Sequence, residues 1–339
     1  MTKASAPGNL FLASEQAVVY GEPALVASIG MRTRSSVKRR KDDRIIVESK
    51  DYGKINETIP KLIGRRYEKP EDYKDKMDSA RDFISWYQRI YGIDSGFEAF
   101  IDSDIPKICG GLSTSTAFLC SFFKALDTEF IKKHYRRPID PKHYFDYLLP
   151  FQVKIHGGKA SGAEIISSSL GGIHKVRKVE SGEKPKIIYE SLGTPELPIV
   201  IGSTGVERKT SRTVSYVRNG WETDKESYEE VFAKIGSLVL EEEKAIKRGD
   251  KKELGLLMNI NHEILARDLG VSHPKLNKLV DASRSAGAYG AKLAGGGGGG
   301  VMFALTDEEN QKRIAKAILE VGGKPFITKI GVEGVRLEK

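Results

Sequence analysis

Cysteine is scarce in this sequence, and long hydrophobic runs are missing. Only Cys109 and Cys120 occur among 339 residues. A secreted disulfide framework needs more cysteines, so we expect reduced thiols and a cytoplasmic location. No apolar run approaches the roughly 20 residues that cross a membrane, and residues 1–15 lack the apolar core of a signal peptide. The sequence therefore predicts no membrane partner.

A strong charge of one sign is also lacking. Lys and Arg total 55 against 46 Asp and Glu, a net charge of +9. This excess is dispersed, and its densest run, at 37–41, is followed at once by two aspartates. Nucleic-acid binding and the attraction of small anionic substrates are the two functional interpretations of such an excess, and solvated surface charge is the plain alternative. Its modest size and dispersion disfavour nucleic acid. We expect no nucleic-acid partner.

The length and the element pattern indicate two α+β domains. At roughly 100–200 residues per domain, two domains are the natural expectation for this chain. Apolar periodicity, caps and turn signals predict helices over 69–92, 113–134, 227–248, 252–269, 275–286 and 308–321. Strands and helices mix without βαβ alternation, so a Rossmann sheet is not favoured. The turn-rich "SLGTPE" marks the candidate boundary between domains 1–193 and 194–339.

The glycine pair Gly110 and Gly111 stands just before the predicted helix over 113–134, whose first residues are rich in hydroxyl groups. Exposed N–H groups and the positive end of the helix dipole favour anions there, and hydroxyls can bind phosphate or Mg²⁺. The alternative is a plain glycine turn with a Ser/Thr cap. No Lys follows in the order of a Walker A loop. The candidate phosphate-binding residues are Gly110, Gly111, Leu112, Ser113, Thr114, Ser115 and Thr116.

Six consecutive glycines stand at 295–300. Flexible linkers are polar throughout and lie between domains, whereas this run is flanked by the apolar, strand-like "AKLA" and "VMFAL". A glycine run inside a domain costs conformational entropy. The pattern therefore predicts a loop whose backbone approaches phosphate, with Gly295, Gly296, Gly297 and Gly298 assigned to the site.

Several stretches together resemble the GHMP kinases, especially the mevalonate kinases. "SAPGNLFLASEQAVVYGEPAL", "GGLSTSTA" and "KLAGGGGGG" look like the three motifs of that superfamily. "KASGAEIISSSLGG" and "TGVERKTSRTVSYVRN" are similar to mevalonate kinases more narrowly. The similarity covers nearly the whole chain, and the order and spacing of the motifs carry it.

The resemblance implies a two-domain α+β fold, with a ribosomal protein S5 domain 2-like N-terminal domain and a ferredoxin-like C-terminal domain. It implies ATP and Mg²⁺ as cofactors and phosphoryl transfer to the hydroxyl of a small acceptor, either a hydroxy acid or its phosphorylated form. Ser115 matches the metal-binding serine of the family, and Glu164 matches its catalytic carboxylate. A homodimer is an open expectation.

The sequence departs from the family pattern near the chemistry. Glu164 replaces the usual Asp, Asn9 replaces a Lys and Gln16 replaces a His. Counting back from "SGAE", the helix Glu that binds Mg²⁺ falls on Val153, and whether Glu15 helps the metal is open. A noncatalytic sensor is one interpretation. The retained carboxylate and glycine loops favour an enzyme with a reshaped acceptor site.

The acceptor side contains basic residues that could bind an additional phosphate. In some acidophilic archaea a superfamily member phosphorylates the 5-hydroxyl of mevalonate 3-phosphate, and the sequence favours this activity, with ordinary mevalonate 5-kinase as the alternative. The candidate acceptor-binding residues are Glu15, Gln16, Tyr20, His156, Lys159, Arg208, Lys209 and Arg212, with Lys154 as a further cation.

Overall fold

The computed structural model describes residues 1–75, 77–93, 95–131, 137–158, 160–179, 186–206 and 210–339, with only the backbone at 210–212. Its strands are β1 (Thr2–Ala13), β2 (Ala24–Arg39), β3 (Arg44–Ser49), β4 (Gly53–Thr58), β5 (Phe97–Ser103), β6 (Ile173–Val179), β7 (Lys186–Ser191), β8 (Leu197–Ser203), β9 (Gly290–Leu293), β10 (Val301–Leu305), β11 (Lys324–Ile330) and β12 (Arg336–Glu338). Its α-helices are α1 (Ile59–Ile63), α2 (Asp78–Tyr91), α3 (Thr114–Ile131), α4 (Tyr144–Ile155), α5 (Ala163–Leu170), α6 (Thr210–Thr223), α7 (Lys225–Arg248), α8 (Lys251–Glu263), α9 (Pro274–Ser285) and α10 (Glu308–Glu320).

The strands form one hydrogen-bonded network. Its main path runs β4-β3-β5-β2-β11-β8-β10-β9, with β1 and β6 also paired to β2. Among the strands of the described residues, the pairs are antiparallel except that of β3 with β5. The two halves of the path meet at a single pair of residues, Ile330 on β11 opposite Ile29 on β2. A narrow sheet connection therefore joins the two halves.

Burial explains why the central strands form. Every residue of β8 is buried, as is every residue of β10. Such continuous apolar runs belong to strands that are covered on both faces. The hairpin expected from "GGIHKVRKV" and "PKIIYES" is present as β6 and β7.

The helix predicted over 69–92 starts later than expected. Pro70 opens only a short 3₁₀ turn, and α2 begins at Asp78. The Asp78 carboxylate accepts the backbone N–H groups of Lys74 and Asp75 at 2.7 and 2.9 Å. Aspartate side chains compete with the helix for backbone donors in this way. The prediction was therefore wrong at this end.

The helix predicted over 252–269 is also modified. α8 ends at Glu263 and continues as a π-helical turn over Ile264–Asp268. The backbone N–H of Leu269 donates to the carbonyl of Ile264, five residues back, at 3.1 Å. Apolar periodicity does not distinguish this wider turn from an α-helical one.

The halves of the chain share strands and core. β12, at the end of the chain, pairs with β1, with Ala4 opposite Leu337. One core cluster combines residues of β1 and β2 with residues of α7, α8, β8 and β10. The division at 193/194 stays a prediction, since β12 lies with the first half in space.

Both cysteines are buried free thiols. Burial raises the pKa of Cys109 to about 12 and raises that of Cys120 further. Within the described ranges, no helix has the length and apolar character that a membrane crossing requires.

Candidate active site

The loop before α3 is pressed against β1. Gly111 has φ +106° and Ser113 has φ +56°, both in the left-handed region. The backbone N–H of Asn9 donates to the carbonyl of Leu112 at 3.2 Å. A Cβ on Gly8 would lie 2.5 Å from that carbonyl oxygen. Backbone contact at Gly8 therefore sets the position of the candidate phosphate-binding loop.

The hydroxyl side chains at the start of α3 contact two different parts of the site. Thr114 and Ser115 line a cavity of about 370 Å³. Thr116 is buried and donates to the carboxylate of Glu164. One helix end therefore touches both the cavity and the predicted catalytic carboxylate.

The cavity has aromatic walls. Tyr52, Tyr73 and Phe118 line it together with the start of α3. The Tyr73 hydroxyl donates to Oδ2 of the buried Asp82 at 2.8 Å, which fixes the ring in the wall. Ligand cavities of this size commonly bind small molecules between apolar and aromatic walls that carry polar groups. Helix N-termini favour phosphate, so the combination can hold a nucleotide.

Glu164 lies in the first turn of α5 with its carboxylate held from two sides. Its Oε2 accepts from Thr116 Oγ1 at 3.0 Å and from Gln152 Nε2 at 2.6 Å. His156 Nε2 lies 3.6 Å from the same oxygen, and the Glu164 side chain is 19% exposed. A partly exposed carboxylate of this kind can accept a proton from an alcohol.

Asn9, at the family's lysine position, is used inside the fold. It is fully buried, and its Nδ2 donates to the Glu164 carbonyl at 3.1 Å and to Ser168 Oγ at 3.0 Å. Ser168 in turn donates to the carbonyl of Pro7 at 2.8 Å. This amide holds α5 against β1 and supplies no positive charge to the site.

Sequence reasoning missed Gln152. It considered Val153, whose hydrocarbon side chain cannot bind a metal, whereas Gln152 contacts Glu164 directly. Gln152 and His156 are four residues apart at the end of α4, a spacing that places side chains on one helix face. That spacing is the signal that could have identified the pair.

A second buried cluster lies behind the first motif. Lys292 Nζ pairs with Glu15 Oε1 at 2.7 Å, and their side chains are 0% and 2% exposed. Glu242 is fully buried, and neither of its carboxylate oxygens has a hydrogen-bond partner among the described residues. Burial raises its pKa to about 8; Lys292 lowers the pKa and Glu15 raises it. Glu15, which the sequence predicted on the acceptor side, is thus paired with Lys292. The sequence had assigned no role to the Lys292 side chain.

The glycine run is a folded loop between β9 and β10. The backbone N–H of Gly298 donates to the carbonyl of Val271 at 2.8 Å, and that of Gly300 to Val206 at 3.2 Å. A Cβ on Gly297 would lie 2.0 Å from the Val271 oxygen. Positive φ occurs at Gly295, Gly297, Gly298, Gly299 and Gly300. These contacts exclude a slack linker, while the predicted approach to phosphate stays a prediction.

Gln16 connects the first motif to this loop. Its Nε2 donates to the carbonyl of Gly296 at 3.0 Å, and its side chain is buried. The family's third motif is therefore attached to its first motif through a neutral amide.

Two other predicted residues are engaged elsewhere. Tyr20 stacks on Phe232 with ring centroids 4.4 Å apart. Lys154 donates to the carbonyl of Tyr67 at 2.9 Å and pairs with Asp82, which neutralises its charge inside the first half of the chain. Lys159, Arg208 and Lys209 lie outside the described residues, as does the side chain of Arg212.

The donors fit Mg²⁺ only in part. Across the part of the chain that is described, no group of three or more His, Cys, Asp or Glu side chains could hold a metal. Mg²⁺ keeps several waters and binds through one or two carboxylates together with substrate phosphates. The Ser115 hydroxyl at the cavity fits a Mg²⁺ ion whose other ligands come mainly from the nucleotide phosphates.

Comparison with known proteins places this geometry in a family. The model for GHMP kinases C terminal matches residues 243–324. A mevalonate kinase of Thermococcus sibiricus is 34% identical over 99% of this chain and 98% of its own length. The Methanococcus jannaschii mevalonate kinase structure has a TM-score of 0.79 at 24% identity, covering 97% of this chain and 98% of that one. A Streptococcus pneumoniae phosphomevalonate kinase, in complex with phosphomevalonate and AMPPNP, has a TM-score of 0.73 at 16% identity, with coverages of 96% and 100%.

The fold, a helix N-terminus at an aromatic-walled cavity and a nearby carboxylate define a small-molecule kinase architecture. Given a relative 34% identical over 99% of its length, the chain belongs to the GHMP kinases and is mevalonate kinase-like. It is an enzyme, a phosphotransferase with an alcohol group as acceptor. The α+β GHMP kinase fold expected from the sequence is confirmed.

Proposed function

We propose that this enzyme transfers the γ-phosphoryl group of ATP to the 5-hydroxyl of mevalonate 3-phosphate. The observation that carries the proposal is a retained catalytic carboxylate in altered surroundings. Glu164 is present and hydrogen-bonded, while the family's lysine position holds the buried neutral Asn9. A kinase mechanism is thereby kept, and the acceptor is the part that differs.

The nucleotide occupies the aromatic-walled cavity in this proposal. The base lies between Tyr52, Tyr73 and Phe118, and the phosphates extend toward the N-terminus of α3, where Thr114 and Ser115 line the same cavity. Backbone N–H groups and the helix dipole stabilise the phosphate charge there. Ser115 would hold Mg²⁺ together with the nucleotide phosphates, and the ion would supply neutralisation of the negative charge on the β- and γ-phosphates.

Glu164 orients the 5-hydroxyl and accepts its proton. Its carboxylate is 19% exposed, so an acceptor can reach it. Phosphoryl transfer depends on positioning and charge stabilisation, with a carboxylate to receive the hydroxyl proton. A positioned base of this kind contributes about 10²–10⁴-fold.

The extra phosphate of the acceptor is assigned to the basic residues between 208 and 212. Val206 and Thr213, which flank that segment in sequence, lie beside the glycine loop: a Cβ added to Gly299 would be 3.0 Å from Val206 Cγ1, and one added to Gly298 would be 3.1 Å from Thr213 Oγ1. Arginine binds phosphate through paired, charge-assisted hydrogen bonds. The Streptococcus pneumoniae phosphomevalonate kinase carries a phosphorylated acceptor on the same fold, which supports the assignment.

Ordinary mevalonate 5-kinase is the second candidate. It is favoured by the Thermococcus sibiricus mevalonate kinase, which is 34% identical over almost the full chain. The two activities share the nucleotide cavity and the role of Glu164. They differ only in whether the acceptor bears a phosphate.

One experiment separates the candidates. The pure protein is incubated with ATP, Mg²⁺ and one of three acceptors, mevalonate, mevalonate 3-phosphate or mevalonate 5-phosphate, and ADP release is measured. We expect the highest kcat/KM with mevalonate 3-phosphate. A higher value with plain mevalonate would establish the second candidate, and turnover of none of the three would overturn the proposal.

A further inference from the structure

We propose that Gln152 is the positioning residue that orients the Glu164 carboxylate. It binds one carboxylate oxygen, Oε2, and leaves Oε1 directed to the acceptor hydroxyl. This inference rests on the proposed catalytic role of Glu164. It assigns to this chain a neutral amide beside the reacting carboxylate, one residue from the position considered for a metal-binding Glu.

The hydrogen-bond directions around Oε2 are determined by chemistry. A carboxylate only accepts, so the NH₂ end of Gln152 must face it. Gln152 Nε2 donates to Glu164 Oε2 at 2.6 Å and to Thr116 Oγ1 at 3.2 Å. Thr116 then donates its own proton to Glu164 Oε2 at 3.0 Å. The three side chains form a closed triangle with one consistent set of donors.

The other carboxylate oxygen remains available. No described residue donates a hydrogen bond to Oε1 of Glu164, whereas Oε2 has two donors. A carboxylate with one oxygen held in this way has a fixed plane and a fixed direction for the second oxygen. An acceptor hydroxyl would meet Oε1.

The carbonyl oxygen of the Gln152 side chain makes no hydrogen bond to compare with those of its NH₂ group among the described residues. Gln152 is 1% exposed, and its Oε1 has no hydrogen-bond partner among the described residues. A buried polar atom without a partner costs stability. A Met of similar volume would fill the space without that cost. The contacts to Glu164 and Thr116 are therefore the favourable interactions of this amide.

The end of α4 is itself anchored. Lys154 pairs with the buried Asp82, which also accepts from Tyr73 in the cavity wall. Ile155, the next residue, lines the cavity. The same helical turn thus contacts the nucleotide cavity through Ile155 and the carboxylate through Gln152, so both are positioned by one rigid element.

The charges that face Glu164 are few. His156, which caps the end of α4, is the titratable side chain within ion-pair distance in the described part of the chain, at 3.6 Å. α3 contributes Thr116 and β1 contributes Asn9, both neutral. A carboxylate at position 152 would bring a like charge to the oxygen that now receives an N–H.

The first test removes the donor. In Gln152→Met the carboxylate loses a hydrogen bond but keeps its packing. A misplacement of about 1 Å can cost on the order of 10²-fold in rate, so we expect kcat to fall by about ten- to a hundredfold while KM for ATP changes less than about threefold. An unchanged kcat would overturn the inference. The acceptor is whichever of the three compounds the unmodified enzyme uses.

The second test needs no acceptor. Gln152→Glu places two carboxylates in contact, which must share a proton. Their pKa values rise in the folded state, so the stability of this variant falls as pH rises from about 5 to 8. The double variant Gln152→Glu, Glu164→Gln exchanges the two side chains, so that one amide again faces one carboxylate. We expect the unfolding midpoint to recover at pH 8 and the activity to remain lost, since the carboxylate then lies on the wrong helix.

Gln311→Glu is the matched control. Gln311 is also a buried amide, and it donates to the carbonyls of Ile199 and Thr328 far from the site in sequence. Any loss of stability in this variant should be the same with and without Glu164→Gln. If the double variant Gln152→Glu, Glu164→Gln recovers no more stability than the control pair does, Gln152 and Glu164 are not in contact and the inference is overturned. If all three acceptors fail, the proposed function is wrong while this stability cycle still gives its answer.

Discussion

Glu242 permits a quantitative test of the buried charges behind the first motif. It is fully buried on α7, near the Lys292–Glu15 ion pair, and burial raises its pKa from 4.5 to about 8. The perturbation is Glu242→Gln, which keeps the shape and removes the titrating proton. Glutamine cannot ionise, so any pH-dependent difference between the two proteins reports on Glu242.

The sign follows from linkage. A carboxyl whose folded-state pKa is raised stabilises the native state fully below its unfolded value, and this contribution is lost as pH rises through the folded value. For a shift from 4.5 to about 8, the destabilisation is about 1 kcal/mol at pH 5 and about 3 kcal/mol at pH 7. Glu242→Gln should therefore gain about 2 kcal/mol on the wild type between pH 5 and pH 7.

The assay is guanidinium unfolding at pH 5, 6, 7 and 8, with the free energy of unfolding compared at each pH. Glu241→Gln is the control, because Glu241 is adjacent in sequence but 53% exposed and paired with Lys244. The control should show no comparable trend. A stability difference between Glu242→Gln and wild type that stays constant over this range would mean that Glu242 keeps one charge state, and would refute the reasoning.

Three further predictions concern the site. Glu164→Gln should lower kcat by at least about 10² with little change in nucleotide affinity; near-full kcat would remove Glu164 from the mechanism. Gly297→Ala should distort the glycine loop, because its Cβ would lie 2.0 Å from the carbonyl oxygen of Val271, whereas the Cβ of Gly64→Ala, away from the site, would lie 3.5 Å from its nearest neighbour, the carbonyl oxygen of Pro60. Circular dichroism and turnover of both variants check this, and equal behaviour would contradict it. Arg212→Ala should raise KM for the phosphorylated acceptor about tenfold or more and leave KM for ATP nearly unchanged, as expected for a lost charge-assisted hydrogen bond; an equal rise in both would argue against a role in acceptor binding.

Sequence patterns predicted the local elements well where packing and periodicity agree. The helix predicted over 113–134 appears as α3, and the predicted β6–β7 hairpin has the expected pairing. The start of α2 was misjudged because Asp78 uses its carboxylate on the preceding turn. Competition of that kind depends on a few hydrogen bonds that a periodic pattern does not encode.

The sequence by itself determined the family, the glycine-rich loops and the carboxylate at 164, because the order of motifs and the residue types within each motif can be read without knowing the fold. The tertiary structure alone decided which side chains meet. Lys292 and Glu15 are 277 positions apart in sequence yet form a buried pair at 2.7 Å. Gln152 rather than Val153 reaches Glu164, since the face that α4 presents depends on how it packs against α3 and α5. Contacts across such separations follow from packing of the whole core, and no local pattern contains them.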